Sequence, residues 1–191
     1  MAILHQPRLA KANVSNQKGV GIVEALVALV VISFGVLGIA GLQLAGMKHS
    51  SSGLARAKAV MVADDLSTRM RMNRTGSKAG DYDGFDTDSF ACAAAPTAFC
   101  QTTSSEVAQS CNAIQIATFD KYSLACGLSD GAARQGGIDE LLPPNSRLSV
   151  VCDDSPCEED SSYTITVRWL EVENASSSSD STRSLTVKMR P

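Results

Sequence analysis

Between Ala25 and Met47 the chain runs 23 residues without a formal charge, ALVALVVISFGVLGIAGLQLAGM. As a helix this stretch is roughly 35 Å long, enough to cross a hydrocarbon core about 30 Å thick. It exceeds the apolar core of about 7–15 residues found in a cleavable secretory signal, although Gly38-Ile39-Ala40 offers the small residues after which such a signal is cut. The length favours a membrane-spanning helix. Residues 1–19 carry Arg8, Lys11 and Lys18 and no acid, so this end stays cytoplasmic and the bulk of the chain lies outside. All six cysteines fall between Cys92 and Cys157, on that outer side, where a bacterial periplasm is oxidising.

A net charge of −3 and a mean hydropathy of +0.01 conceal strong segregation. The leader 1–19 is +3, residues 20–47 carry only Glu24, residues 48–78 are +5 and residues 79–191 are −10. The distal part is too acidic for a general nucleic-acid binder, which needs a basic face to displace counterions. Both histidines, His5 and His49, precede it, so it cannot build a Ser-His or Cys-His dyad or a His-ligated metal site. No catalytic residue, cofactor or metal is expected.

Glu24 stands at the mouth of the apolar run, in Lys18-Gly19-Val20-Gly21-Ile22-Val23-Glu24-Ala25-Leu26. Read alone, it is either an interfacial residue favouring the N-terminal end of a helix dipole or a carboxylate that must be paired within the membrane. Its context, Lys-Gly followed by an apolar helix with a glutamate five residues on, resembles the class III signal of type IV pilins. In that family a prepilin peptidase cuts after the glycine on the cytoplasmic side and methylates the new terminus. The resemblance implies cleavage between Gly19 and Val20, N-methylation of Val20, which stands where the family usually has Phe, and a role for Glu24 in assembly and register. The positive partner of Glu24 would be the amino terminus of a neighbouring subunit, since a charge in low dielectric must be matched. Gly35, Gly38 and Gly41 recur at intervals of three. They favour small-residue packing between apolar helices over local melting of the helix.

From Lys48 to Arg74 the pattern continues as an amphipathic helix, with Val62, Leu66 and Met70 at intervals of four and Arg56, Lys58, Arg69, Arg71 and Arg74 on other faces. A solvated basic face, with the opposite stripe covering a globular domain, is preferred to binding a lipid surface. Attraction between this +5 segment and the −10 region makes docking of the two plausible, within a chain or between neighbours. Ala55-Arg56-Ala57-Lys58-Ala59, Ala63-Asp64-Asp65-Leu66 and Arg69-Met70-Arg71-Met72-Asn73-Arg74 resemble the PilV-type minor pilins. So do Ala117-Thr118-Phe119-Asp120, Leu142-Pro143-Pro144 and Tyr163-Thr164-Ile165-Thr166-Val167-Arg168-Trp169.

Residues 75–110 read as a long loop. Asp81, Asp83, Asp86 and Asp88 do not meet the EF-hand spacing, so a solvated acidic loop is the preferred reading, as it is for Asp153-Asp154 and Glu158-Glu159-Asp160. A helix is expected near 112–128, with Ile116 and Leu124 inward, and Gly131, Gly136 and Gly137 then break the chain. Alternation predicts strands over 147–152, 163–172 and 183–189, the last two joined by a flexible loop over 174–182. Six cysteines allow fifteen pairings. Cys152 and Cys157 enclose a turn and form the best local pair, whereas the pairing of Cys92, Cys100, Cys111 and Cys126 stays open.

The expected fold is α+β and type IV pilin-like: a long N-terminal helix packed on a small antiparallel sheet with a disulfide-containing loop region. Its parts are a cleaved leader (1–19), a membrane and filament-core helix (20–47), a periplasmic continuation (48–74) and a globular head (75–191). The resemblance implies a non-enzymatic minor pilin that helps to prime assembly at the pilus tip, supporting adhesion and twitching motility. Its partners would be the prepilin peptidase, other minor and major pilins, inner-membrane lipid and a tip adhesin, with no nucleic acid. A type II secretion pseudopilin is the nearest alternative, and a membrane-anchored periplasmic enzyme or ligand-binding domain a more distant one.

Overall fold

The computed structural model describes residues 21–103, 106–130, 133–172 and 180–191. The chain divides into two compact units, Met1–Met47 and Lys48–Pro191. Helix α1 (Ile22–Met72) starts in the first unit and ends in the second. Among the described residues it is the one helix long and apolar enough to cross a membrane.

In the first unit, every residue from Gly21 to Met47 is exposed. Leucines and alanines favour the helix and the run contains no proline, whereas its valines, isoleucines and glycines are weaker formers in water; an apolar surrounding, where backbone groups must be paired within the segment, favours the helix.

The second unit has a single apolar core. The portion of α1 from Lys48 onward contributes a stripe of Ala55, Ala59, Val62, Ala63, Leu66, Ser67 and Met70, all buried. These fall at the three- and four-residue spacing of one helix face. Then follow α2 (Arg74–Lys78), a single 3-10 turn (Thr87–Ser89), α3 (Ala113–Cys126), a short hairpin of β1 (Leu128–Asp130) and β2 (Ala133–Gln135), and α4 (Ile138–Leu141). The antiparallel meander of β3 (Arg147–Cys152), β4 (Tyr163–Val172) and β5 (Asp180–Met189) completes the unit in the order β3-β4-β5. Cys152 pairs with Tyr163 and Tyr163 with Met189, so the inward-facing set of each strand lies side by side. Leu148, Val150, Tyr163, Ile165, Val167, Trp169 and Met189 are buried, and Leu185 and Val187 are half-buried. Period-two alternation places one face of the sheet in the core.

Several boundaries differ from the sequence expectation, each for a local reason. Helix α1 stops at Met72 rather than running through Arg74. Asn73, with φ −95° and ψ 57°, leaves the helical conformation to cap α2, its side chain accepting from the Gly76 amide at 3.3 Å. The stretch 75–110 is not wholly loop. Tyr82 and Phe85 are buried in the core, and Phe85 O accepts a 2.8 Å hydrogen bond from Val150 N at the edge of β3. Ile116 is only half-buried, while Ala117, Phe119, Tyr122 and Leu124 form the inner face of α3. Asn112 and Gln115 bond reciprocally to each other's backbone amides at the start of that helix, a capping box. Strand β5 begins at Asp180, so residues 180–182 of the expected loop pair with 170–172 of β4, and residues 174–179 lie outside the described ones. Gly131 also lies outside them, but the chain about it forms the β1–β2 hairpin, where only a break was expected. Behind that hairpin Gly127, at φ +70°, and Gly137 touch back to back. A Cβ on Gly127 would lie 2.7 Å from Gln135 O, and one on Gly137 would lie 2.8 Å from Gly127 N.

The loops are tied covalently. Cys92 joins Cys126 at the end of α3, Cys100 joins Cys111, and Cys152 joins Cys157 across the β3–β4 turn, with Cα separations of 5.5, 5.7 and 6.0 Å. Phe99 meets the ring of Phe119 edge-on at 5.9 Å, seating the Cys100–Cys111 loop on α3.

Candidate functional site

The apolar half of α1 is built to be covered by something else. Ile22, Phe34, Leu37, Leu42 and most of their neighbours are more than half exposed, an apolar surface far beyond what a soluble monomer presents. Its one hydroxyl is satisfied within the helix: Ser33 Oγ donates to Leu29 O at 2.7 Å, which lets the helix enter an apolar environment without an unpaired hydroxyl. Nothing approaches within 4 Å of the positions a Cβ would take on Gly35, Gly38 and Gly41, so this surface is open to another helix.

Glu24 occupies the first turn of α1, where its amide and that of Ala25 bond to Gly21 O at 3.0 and 3.2 Å. An acid here meets the positive end of the helix dipole. No cation pairs with it among the described residues. Gly19 and Val20, the residues flanking the expected cleavage, lie outside the described residues.

In the second unit, two sequence segments that carry the pilin resemblance meet. Arg69 Nη1 donates to Asp120 Oδ1 at 3.1 Å and to Ser123 Oγ at 3.2 Å, while its Nε donates to Asp65 Oδ2 at 3.0 Å. Tyr82 Oη donates to the other Asp120 oxygen at 2.7 Å, and Asn73 Nδ2 donates to Tyr82 Oη at 3.2 Å and to Ala113 O at 2.7 Å. One buried carboxylate thus holds together the end of α1, the loop after α2 and α3. Burial pushes the Asp120 carboxyl above its ordinary range, against the downward pull of the Tyr82 and Arg69 hydrogen bonds. Burial likewise pushes the Tyr82 phenol up, reinforced by the hydrogen bond to Asp120. Sequence reading singled out Arg69, Asn73 and Asp120 but missed Tyr82 and Ser123. The available signal was a carboxylate on the apolar face of α3, which demands partners.

Several acids of the two clusters are engaged by the fold, while Asp81 Oδ2 is buried with no hydrogen-bond partner among the described residues. Asp86 takes two hydrogen bonds from Arg147, which hold its carboxyl below the usual range, and Asp83 accepts from Cys152 N at 2.8 Å. Asp153 bonds Thr164 at 2.6 Å and Lys188 at 3.0 Å, Glu159 pairs with Lys78, and Arg190 lies 3.5 Å from Asp160. Two cations of the basic segment, Arg69 and Lys78, therefore find acids within their own chain. None of these groups is arranged as a nucleophile and base.

No curated protein and no solved structure matches the chain. A family model described as the type IV pilin Tt1218 matches residues 41–122, a span that contains Arg69, Asn73, Tyr82 and Asp120. With the long apolar helix, the three-stranded antiparallel sheet and the disulfides, the fold is α+β and type IV pilin-like. The match covers less than half of the chain and is a likeness to type IV pilins; the exposed apolar helix fits membrane anchoring by its length and composition.

Proposed function

We propose that the chain is a minor pilin of a type IV pilus. Prepilin peptidase would cut it between Gly19 and Val20 and methylate Val20. The mature protein would sit in the inner membrane by a single span, 20–47, with the helix continuation 48–74 and the head 75–191 in the periplasm. It would then move into the filament, helping to prime assembly at the tip beside other minor and major pilins and a tip adhesin, and so support adhesion and twitching motility. One observation carries this reading: the Lys18-Gly19…Glu24 signal runs directly into a helix whose every residue to Met47 is exposed. Unlike a secretory signal, a cut at Gly19 leaves that helix on the mature protein.

Mass spectrometry of the mature chain tests it. The expected terminus is a methylated Val20; a start at Gly41, after Ala40, would overturn the reading. Deletion of the gene should lower pilus number and twitching. Intact pili with loss of protein secretion would instead assign a pseudopilin.

Glu24→Ala separates processing from assembly. Cleavage at Gly19 should be largely intact, whereas incorporation into filaments should fall, because the amino terminus of the neighbouring subunit loses its counter-charge. Normal incorporation of the variant in sheared filaments would count against the role given to Glu24.

A further inference from the structure

Six residues at the start of the second unit, Lys48-His49-Ser50-Ser51-Ser52-Gly53, are helical without the support their neighbours have. Up to Met47 the side chains are apolar and find cover in lipid, on the reading of 20–47 as a membrane span. From Ala55 onward the stripe of Ala55, Ala59, Val62 and Leu66 is buried in the core. Between the two no residue is buried, and of 48–53 only Ser52 is half-buried. The residue types add to the weakness. Serine and histidine rank well below alanine and leucine in helix propensity, and glycine ranks lower still. Ser51 Oγ donates to Lys48 O at 2.8 Å, a bond from a side chain back to the backbone that competes with helical geometry. A stretch this short is not stable as a helix by itself. Nor does packing within the chain require the glycine, since a Cβ on Gly53 would meet nothing within 4 Å. What glycine supplies there is a low cost of leaving the helix.

Contacts to the end of β4 hold this stretch closed. The Ser52 hydroxyl donates to the Glu171 carboxylate, and Lys48 lies within the electrostatic reach of that same group. Glu171 is itself fixed on the sheet, where Arg183 Nε donates to its Oε2 at 2.7 Å. We propose that residues 48–53 are a latched hinge in α1: the helix opens there while the segments on either side stay helical, and the Ser52–Glu171 bond, with Lys48 beside it, is the latch. Opening of this kind breaks only the few backbone bonds that span 48–53 and leaves the core intact. Its use rests on the reading of the chain as a pilin subunit. The apolar segment changes its surroundings from bilayer to filament, and an open hinge spares the head's core the strain of that move.

Hydrogen exchange read by mass spectrometry, on the full chain in neutral detergent micelles, tests the hinge. Amides over 48–54 should exchange at least about a hundredfold faster than those over 26–45 and 59–70, the contrast expected between local opening and loss of a supported helix. Ser50 and Gly53 are exposed, so the double variant Ser50→Ala, Gly53→Ala should fold normally. It should slow exchange over 48–54 about tenfold, the summed gain in helix propensity. Glu171→Gln keeps an acceptor for Ser52 but removes its charge, and should speed exchange there about fivefold. Both variants should leave 59–70 unmoved. Protection over 48–54 equal to that over 59–70, or exchange that the double variant does not slow, would overturn the hinge and assign these small residues to contacts with another helix. Exchange unmoved by Glu171→Gln would overturn the latch. The pilin reading stands or falls separately. A methylated Val20 found with uniform protection would keep that reading and remove the hinge, and fast exchange over 48–54 in a chain cut elsewhere would do the reverse.

Discussion

Asp120 is held between opposing effects. Burial disfavours its charge, while Arg69 and Tyr82 each donate a hydrogen bond that favours it. The balance leaves its folded-state pKa raised, so the folded chain holds this proton more firmly than the unfolded one. The stability that comes with it is complete below the unfolded value, near about pH 4, and is lost as pH rises through the folded value. Tyr82→Phe removes a donor to the carboxylate without emptying the core position, and so raises that folded value further. The variant should cost about 1–2 kcal/mol at neutral pH, and the cost should shrink as pH falls toward about 4. Urea denaturation of both proteins at the two pH values checks this; a cost independent of pH would mean that Asp120 is not the acceptor that matters. The residues of this cluster were partly legible in the sequence. Arg69, Asn73 and Asp120 stand in segments that carry this chain's resemblance to pilins, but nothing in the order of residues shows that Tyr82, 38 positions before Asp120, closes the ring.

At the scale of elements, the sheet was the most legible part. Alternation of apolar residues in 147–152 and 163–172 is a direct consequence of a half-buried strand, and a meander is the shortest way to pair three such strands. The helical stripe was legible for the same reason, since Val62, Leu66 and Met70 repeat at the period of the helix. The stop at Asn73 was not, because it depends on Ala113 O and Tyr82, which arrive from elsewhere in the chain. Nor was the pairing of four cysteines, which is decided by where α3 ends and where the 92–111 loop turns. The three bridges close loops of very different size, with sequence separations of 34, 11 and 5. If restriction of the unfolded chain dominates, removal should cost about 4 kcal/mol for Cys92–Cys126, about 3 for Cys100–Cys111 and about 2 for Cys152–Cys157. Paired Cys→Ser variants, compared by denaturant midpoint, test the ranking. A larger loss from Cys152–Cys157 than from Cys92–Cys126 would show that native-state geometry outweighs loop entropy.

For the molecule as a whole, the net charge of −3 divides into parts with separate uses. Residues 1–19 carry three bases and no acid, Glu24 is the lone charge of residues 20–47, and part of the distal acidity is balanced within residues 48–191 by Arg147, Lys188, Arg190, Lys78 and Arg69. None of these pairs draws on residues 21–47. Nor does the described core draw on the apolar segment: no residue from 21 to 50 is buried, and the buried set begins at Ala55. A chain of residues 48–191 should accordingly be soluble without detergent and unfold in one cooperative transition, with its disulfides formed in an oxidising compartment. Near-UV circular dichroism from the buried Tyr82, Tyr163 and Trp169, lost together on heating, is the readout. Aggregation of this fragment, or a broad transition without fixed aromatic signals, would mean that the apolar segment contributes to folding as well as to anchoring. A sharp transition would instead place the whole cost of exposing that segment on the membrane or the filament, which is where a helix of this composition finds its cover.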